Sequence, residues 1–272
     1  MHALIKGTIY VSPDVEPIRD GAVLIGGDKI MAVGRGVKVP TTSEVIDCSG
    51  RTITAGFWNS HVHFFERKWA NVAAIPAETI RAAVDETHRA GRPVFLHPGT
   101  GEHVLTAIRS GVDVIAHTTP HSGPWDEEIL AAAKERRTAL TPPLAVWKYH
   151  ARHDRLSTQE KTTNAAIDQL RKWIGAGATV LFGTDLGAVE YDPTEEYVLM
   201  SQAGMTFPDI LASLTTTPAG FFGESKSGRI AEGFEADLVV LDGDPSKDIR
   251  ALAAVRHTLT RGKYAPQNLS RG

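Results

Sequence analysis

Asp113-Val114-Ile115-Ala116-His117 sets a short apolar run immediately before a histidine. A run this brief, bounded by polar residues, reads as a strand buried on both faces rather than as a helix. The pattern recurs on either side. Upstream, Pro93-Val94-Phe95-Leu96 leads to His97; downstream, Thr179-Val180-Leu181-Phe182 leads through Gly183-Thr184 to Asp185. Ile53-Thr54-Ala55-Gly56-Phe57-Trp58 and Thr138-Ala139-Leu140-Thr141 are two more candidate strands. Between them the period changes. Residues 77 to 90 place Ile80, Ala83, Val84 and Thr87 on one helical face and stop at Gly91. Residues 158 to 174 carry Ile167, Leu170 and Ile174 on one stripe, behind a Ser157/Glu160 capping-box pattern. Thr206 and Asp209 open a further helix with Pro208 in its first turn, and Thr217-Pro218 starts a short one before Gly223. Strands alternating with helices from about 56 to 218 predict βα units around a parallel sheet.

In a parallel α/β barrel the C-terminal strand ends open onto one mouth, where active sites assemble. His97, His117 and Asp185 each stand just past an apolar run. Alternate residues of a strand share a face, so His61 and His63 project together from the end of the strand that begins near Ile53. One histidine after a strand is more often a hydrogen-bonded loop residue than a ligand. The coincidence of four histidines and an aspartate at strand ends points to a metal site. Neutral imidazole and carboxylate suit Zn²⁺ or a similar borderline divalent ion when thiolate is absent. Cys48 is the only cysteine, which excludes an intrachain disulfide and a cysteine-based zinc motif. A metal held by His61, His63, His97, His117 and Asp185 would lower the pKa of its water to ~7 and polarise a carbonyl, with Asp185 as the general base.

The other histidines carry weaker signals. His88 falls on a predicted helix, His103 opens another, and His2 and His257 lie in the terminal β-rich segments, where solvated or structural roles are expected. His121, His150 and His153 read as loop residues with a lesser claim to line a substrate pocket. The segment 144 to 155, with Trp147, Lys148, Tyr149, His150 and Arg152, reads equally as an exposed polar loop or as a source of substrate contacts.

Short β-rich runs punctuated by Pro13, Asp20-Gly21, Gly26-Gly27-Asp28 and Gly34 fill residues 2 to 54 and predict a small antiparallel β region, and the same style returns at Ala236 to Leu241 and Val255 to Thr260. Two β-rich ends flanking a different middle predict one composite domain from both termini. The net charge of −3 and the absence of a dense Lys/Arg cluster leave no electrostatic footprint for nucleic acid. No apolar run reaches the ~18 residues of a membrane span, and the first residues read as an alternating strand rather than a signal peptide. A cytoplasmic location and no membrane partner are the expectation.

Gly56-Phe57-Trp58-Asn59-Ser60-His61-Val62-His63, Pro93 to His97, Asp113 to His117 and Leu181-Phe182-Gly183-Thr184-Asp185 together resemble the amidohydrolase superfamily, and within it the imidazolonepropionase-like and prolidase-like branch. Thr217-Pro218-Ala219, Gly228-Arg229-Ile230-Ala231-Glu232-Gly233 and Ala236 to Leu241 are similar to that family's return from its barrel into its β-sandwich. The resemblance implies a TIM-barrel-like α/β fold at 55–223 and a small β-sandwich domain from 1–54 plus 224–272. It also implies a metal-dependent hydrolase that cleaves a C–N bond in an amide, cyclic amide or dipeptide by a metal-activated water. His61, His63 and Asp185 would hold one metal; His97 and His117 would hold a second, or His97 would join the first site while His117 contacts the water or the substrate.

Three departures shape the expectation. A (β/α)₈ barrel takes ~250 residues, whereas 56 to 218 accommodates about five units of ~30 residues. The strands that the family places between its H-x-H and the next ligand have no room between His63 and His97, so an incomplete barrel is predicted. No lysine stands at a strand end to bridge two metals, Lys68 having no strand context, which favours one divalent ion, zinc first, over two. Thr100 stands where deaminating members carry a glutamate, so amide hydrolysis is favoured over base deamination. The alternative is a degenerate or internally deleted non-catalytic homologue that folds as a homo-oligomer, pairing the strand edges that an open barrel exposes.

Overall fold

A computed structural model of the chain describes residues 1–62, 75–153, 155–186 and 192–265. In chain order, β1 (His2–Ile9), β2 (Ile18–Gly26), β3 (Lys29–Gly34), β4 (Glu44–Asp47) and β5 (Arg51–Ala55) precede α1 (Ala77–Arg89), β6 (Phe95–Leu96), α2 (Gly101–Arg109), β7 (Val114–Ala116) and α3 (Glu127–Arg136). Then come β8 (Ala139–Thr141), α4 (Ala145–His150), α5 (Leu156–Gly175), α6 (Thr194–Gln202), α7 (Phe207–Leu214), α8 (Thr216–Phe221), β9 (Leu238–Asp242), β10 (Val255–Thr260) and β11 (Lys263–Tyr264). The chain divides into two compact units, Met1–Trp58 with Thr206–Gly272, and Asn59–Met205.

The terminal unit is built on one sheet of order β11-β10-β9-β5-β1-β2-β3, with β4 also pairing β1. Both chain ends meet where β5 pairs antiparallel with β9 and Ile53 lies opposite Val240. The sheet is mixed rather than purely antiparallel as the turn signals suggested, because β1 runs parallel to β4 over His2–Ile5 and to β5 at Thr8–Ile9. That double partnership needs a bend. Lys6 supplies it with φ 60°, beside a register shift between Leu4 and Gly7. Gly7 lets the strands approach here: a Cβ on it would stand 2.6 Å from Ile53 Cδ1, and the buried Ile53 side chain would have to shift. Leu4, Ile9, Val23, Ile25, Ile53, Leu238 and Val240 are fully buried and form the centre of this core. Thr206 and Asp209 make the reciprocal capping box of α7 that their spacing predicts.

The strand predicted over 53 to 58 takes a different place from the one expected. It ends at Ala55 and belongs to the terminal sheet, because Ile53 and the buried Thr52 and Thr54 face β9 and the terminal core. The helices α7 and α8, which the sequence reading grouped with the barrel portion up to 223, fall in the terminal unit.

In the 59–205 unit, β6, β7 and β8 pair in parallel, with Phe95 beside Val114 and Val114 beside Ala139. Residues 179–182 continue the arrangement through a parallel bridge between Leu140 and Val180 and a 2.9 Å bond from Leu181 N to Leu140 O. Residues 60–62 follow them, with Ser60 N donating to Phe182 O, Asp185 N to His61 O, both at 2.8 Å, and a parallel bridge between Val62 and Leu186. The predicted middle strands thus lie side by side, shortened to a few residues. Among the described residues, 60–62 and 95–96 are the two outermost stretches of this set. His63 and Lys68, which lie between them in sequence, are outside the described residues.

Helices cover the strands with apolar faces: Val104, Ala107 and Ile108 of α2, and Ala166, Ile167, Leu170 and Trp173 of α5, are buried. Two local expectations are corrected. Ser157 does not cap α5, which begins at Leu156 with no side-chain cap bond. Of the two readings of 144 to 155, the exposed polar loop is replaced by α4 and a 3₁₀ turn over Ala151–His153. Among the described residues, no helix is long and apolar enough to cross a membrane.

Candidate metal centre

Parallel strands in register deliver their following residues to one end, which is how β6 places His97 and β7 places His117 side by side. His117 Nε2 lies 2.9 Å from His97 Nδ1, with the rings edge to face at 4.5 Å between centroids. On the far side, the backbone pairing of 60–62 with 182–186 sets His61 Nε2 3.4 Å from Asp185 Oδ1. The two pairs face each other, since the His61 and His117 rings are nearly parallel with centroids 6.0 Å apart. At the end of β8, Thr141 Oγ1 lies 3.3 Å from His61 Nδ1.

Four of the five predicted ligands therefore converge, and His63 lies outside the described residues. Among the described residues, no three histidine, cysteine or acidic side chains stand close enough to hold one ion as they are placed. The donor set nonetheless fits a divalent metal: three imidazoles and a carboxylate, gathered at one strand end, with nitrogen and oxygen donors of the kind zinc takes.

Backbone conformation marks the same two positions. His117 has φ 142° and Asp185 φ 57°, both in the region that L-residues rarely adopt. Such strain costs about 1–3 kcal/mol per residue and persists where the surroundings enforce it, often at active sites. Gly183 is part of that enforcement. A Cβ on it would stand 2.6 Å from His61 Cβ and 3.3 Å from Thr141 Cβ, so only glycine lets the 179–185 stretch approach His61 this closely.

The electrostatics favour a neutral His117. Burial pushes its imidazole down to about 4; the Thr118 carbonyl and Asp185 oppose that shift, and His97 and His61 add to it. Its Nδ1 donates to the Thr118 carbonyl at 2.9 Å, which leaves Nε2 as the lone-pair nitrogen on the side of His97. A neutral ring oriented by its other nitrogen is the form that ligates a metal or accepts a hydrogen bond.

The sequence did not single out Glu196, on α6. It is 1% exposed, and its carboxylate accepts from Leu144 N at 2.9 Å and Ala145 N at 2.7 Å. Burial pushes its carboxyl up to about 7 against the pull of those two amides, with the charges of Glu195 and Asp185 adding to the rise. Trp147 on α4 packs edge to face on His117 at 5.1 Å and on His121 at 5.6 Å, and its Nε1 donates to Thr118 Oγ1 at 2.7 Å. His121 and His150 are exposed beside this indole. The side chain of His153 is outside what the structure describes. His88 instead pairs with Asp113, which also accepts from Val94 N and so braces the start of β6. Thr100 has a local task, capping α2 by accepting from His103 N. His2 pairs with Glu44, and His257 packs on Tyr264, both in the terminal sheet.

Residues 71–265 match the sequence model of the Amidohydrolase family. An ochratoxinase of Aspergillus niger is 25% identical over 205 residues, which cover 71% of this chain and 42% of that protein. An imidazolonepropionase of Streptomyces griseus subsp. griseus is 46% identical over 102 residues, 35% of this chain and 26% of that protein. The chain thus matches less than half the length of these curated relatives. Among solved structures, a Xaa-Pro dipeptidase with methionine bound in its active site superposes with a TM-score of 0.83 at 17% identity, covering 97% of this chain and 99% of that one. That likeness is one of fold.

Proposed function

The chain belongs to the amidohydrolase family, and from that premise we propose that it hydrolyses a C–N bond in a small molecule: an amide, a cyclic amide or a dipeptide. The observation that carries this reading is the convergence of His61, His97, His117 and Asp185 at one end of the parallel strands, with the backbone of two of them held at positive φ. His61, His63, His97, His117 and Asp185 would hold one divalent ion, zinc first. When bound, it supplies a Lewis acid for the scissile carbonyl and a water of lowered pKa. Asp185 takes the proton of the attacking water and returns it to the leaving nitrogen. His117, neutral and fixed through Nδ1, uses Nε2 either as a ligand of that ion or, where the other four residues hold it, to orient the water or the substrate. The dipeptidase likeness supports a dipeptide or an acylated amino acid as the first substrates to try, and Thr100, engaged in capping α2, gives no proton shuttle for base deamination. In architecture, the terminal unit is read as the family's β-sandwich and the 59–205 unit as its barrel, shortened to about five βα units of ~30 residues.

A second reading rests on the arrangement of the donors in two pairs and on the two-residue β6: a non-catalytic homologue that pairs its exposed strand edges in an oligomer. One experiment separates the two. Protein prepared without chelator is analysed for metal, sized in solution, and assayed with zinc, manganese or cobalt on dipeptides, N-acyl amino acids and lactams. Stoichiometric metal with metal-dependent hydrolysis supports the enzyme. Metal-free protein without turnover on any substrate overturns it and leaves the non-catalytic homologue.

A further inference from the structure

Glu196 plays no part in the chemistry above, yet it is a buried acid of the 59–205 unit. Burying an ionisable group is costly unless its partners fix it. Its partners are unusual: not a basic side chain but the main-chain amides of Leu144 and Ala145, one on each carboxylate oxygen. These amides open α4, a helix of six residues with no side-chain cap bond of its own. A helix this short does not hold itself together, and its first amides lack intrahelical partners.

One contact of α4 leads directly to the histidines. Trp147 reaches Thr118 through its indole N–H, and the carbonyl of the same Thr118 takes the Nδ1 proton of His117. On its exposed side Lys148 pairs with Glu195, the neighbour of Glu196. Tyr197, the next residue of α6, is buried and stacks on Phe182 at 5.2 Å, in the stretch that delivers Asp185. The first turn of α6 thus holds both sides of the site, the Asp185 strand through Tyr197 and the His117 loop through α4.

We propose that Glu196 is a positioning residue: its buried carboxylate pins the start of α4 and thereby sets Trp147 against Thr118 and His117. The role of the positioned site rests on the hydrolase reading, but the geometry is testable without turnover. Hydrogen exchange of the tryptophan indole protons, followed by nuclear magnetic resonance, provides the test. Trp147 bonds Thr118, whereas Trp125 bonds Thr119 Oγ1 at 2.8 Å and Trp173 bonds Thr179 O at 2.9 Å, so the latter two serve as internal references in the same unit. In Glu196→Gln, which keeps the volume but sets an amide group against two backbone amides, exchange at Trp147 should quicken by at least about tenfold while the references hold. Glu196→Asp, which retains the charge but draws the carboxylate back, should show a smaller effect at the same indole and serves if the first variant does not fold. Unchanged exchange at Trp147, or an equal rise at all three indoles, overturns the proposal. Where turnover is found, Glu196→Gln and Trp147→Phe should lower kcat non-additively, the double variant being no worse than the poorer single one. Additive losses would also count against it.

Discussion

The two units differ in where they place length and polarity. In the terminal unit β2 runs for nine residues and the buried centre is aliphatic. Among the described residues of the 59–205 unit, β7 and β8 have three residues each and β6 two, while His117, Asp185 and Glu196 are all buried there. The contrast teaches that extended pairing and dry packing supply stability in one unit, while the other buries a histidine and two acids at the ends of short strands and beside them, where the proposed hydrolysis would have its chemistry. Substitutions should therefore separate cleanly, altering hydrolysis in one unit and stability in the other.

The largest effect is expected at Asp185. Asp185→Asn should lower kcat/KM on a cleaved dipeptide or N-acyl amino acid by a factor on the order of 10²–10⁴ while the protein stays folded. Comparable turnover in the variant would remove Asp185 from the role of base. In the terminal unit the counterpart is Ile53→Ala. Ile53 is fully buried at the join of the two chain ends, and its truncation should cost about 2–5 kcal/mol in urea denaturation. Hydrolysis per folded molecule should not change; if it falls with the stability, the division of labour between the units is wrong.

A smaller effect concerns pH. Burial holds His117 below the ordinary imidazole value of 6.5, at about 4, so as pH falls the unfolded chain takes up this proton before the folded one does. The stability this group contributes is complete above pH 6.5 and is lost as pH falls towards 4. In metal-free protein, the melting temperature should decline over that interval, and His117→Asn should decline less steeply. An identical slope would place the titration elsewhere. The smallest effect is expected for the pair between Arg51 and Asp242 at the rim of the terminal sheet, 2.9 Å apart with Asp242 half exposed. Asp242→Ala should change stability by about 0.2–1 kcal/mol, since solvent screens such pairs.

Much of the site could be read in the sequence, because a short apolar run ending in a histidine or aspartate states both the strand and the end at which its ligand emerges. His97, His117 and Asp185 follow that rule. The strand at Ile53 shows its limit: an apolar run before Gly56 looks the same whichever sheet receives it, and only the facing residues of β9, far along the chain, assign it to the terminal sheet. The helix α4 was hidden because Trp147, Lys148, Tyr149 and His150 form no apolar stripe, and its stability comes from partners elsewhere. Glu196 was hidden for the same reason. An acid in the first turn of a helix usually faces solvent and favours the helix dipole, and nothing near it in sequence announces the amides of Leu144 and Ala145. Gly183 carried a readable signal, a glycine directly after an apolar strand run, whose meaning required His61 to be in place.

The most direct test of the central claim is a calorimetric titration of zinc into chelator-stripped protein, repeated with His117→Ala and Asp185→Asn. One ion bound per chain, with affinity weakened by at least about tenfold in each variant, is the expected result. No binding, or binding that both substitutions leave intact, would contradict the assignment of these residues to a metal-dependent hydrolytic site.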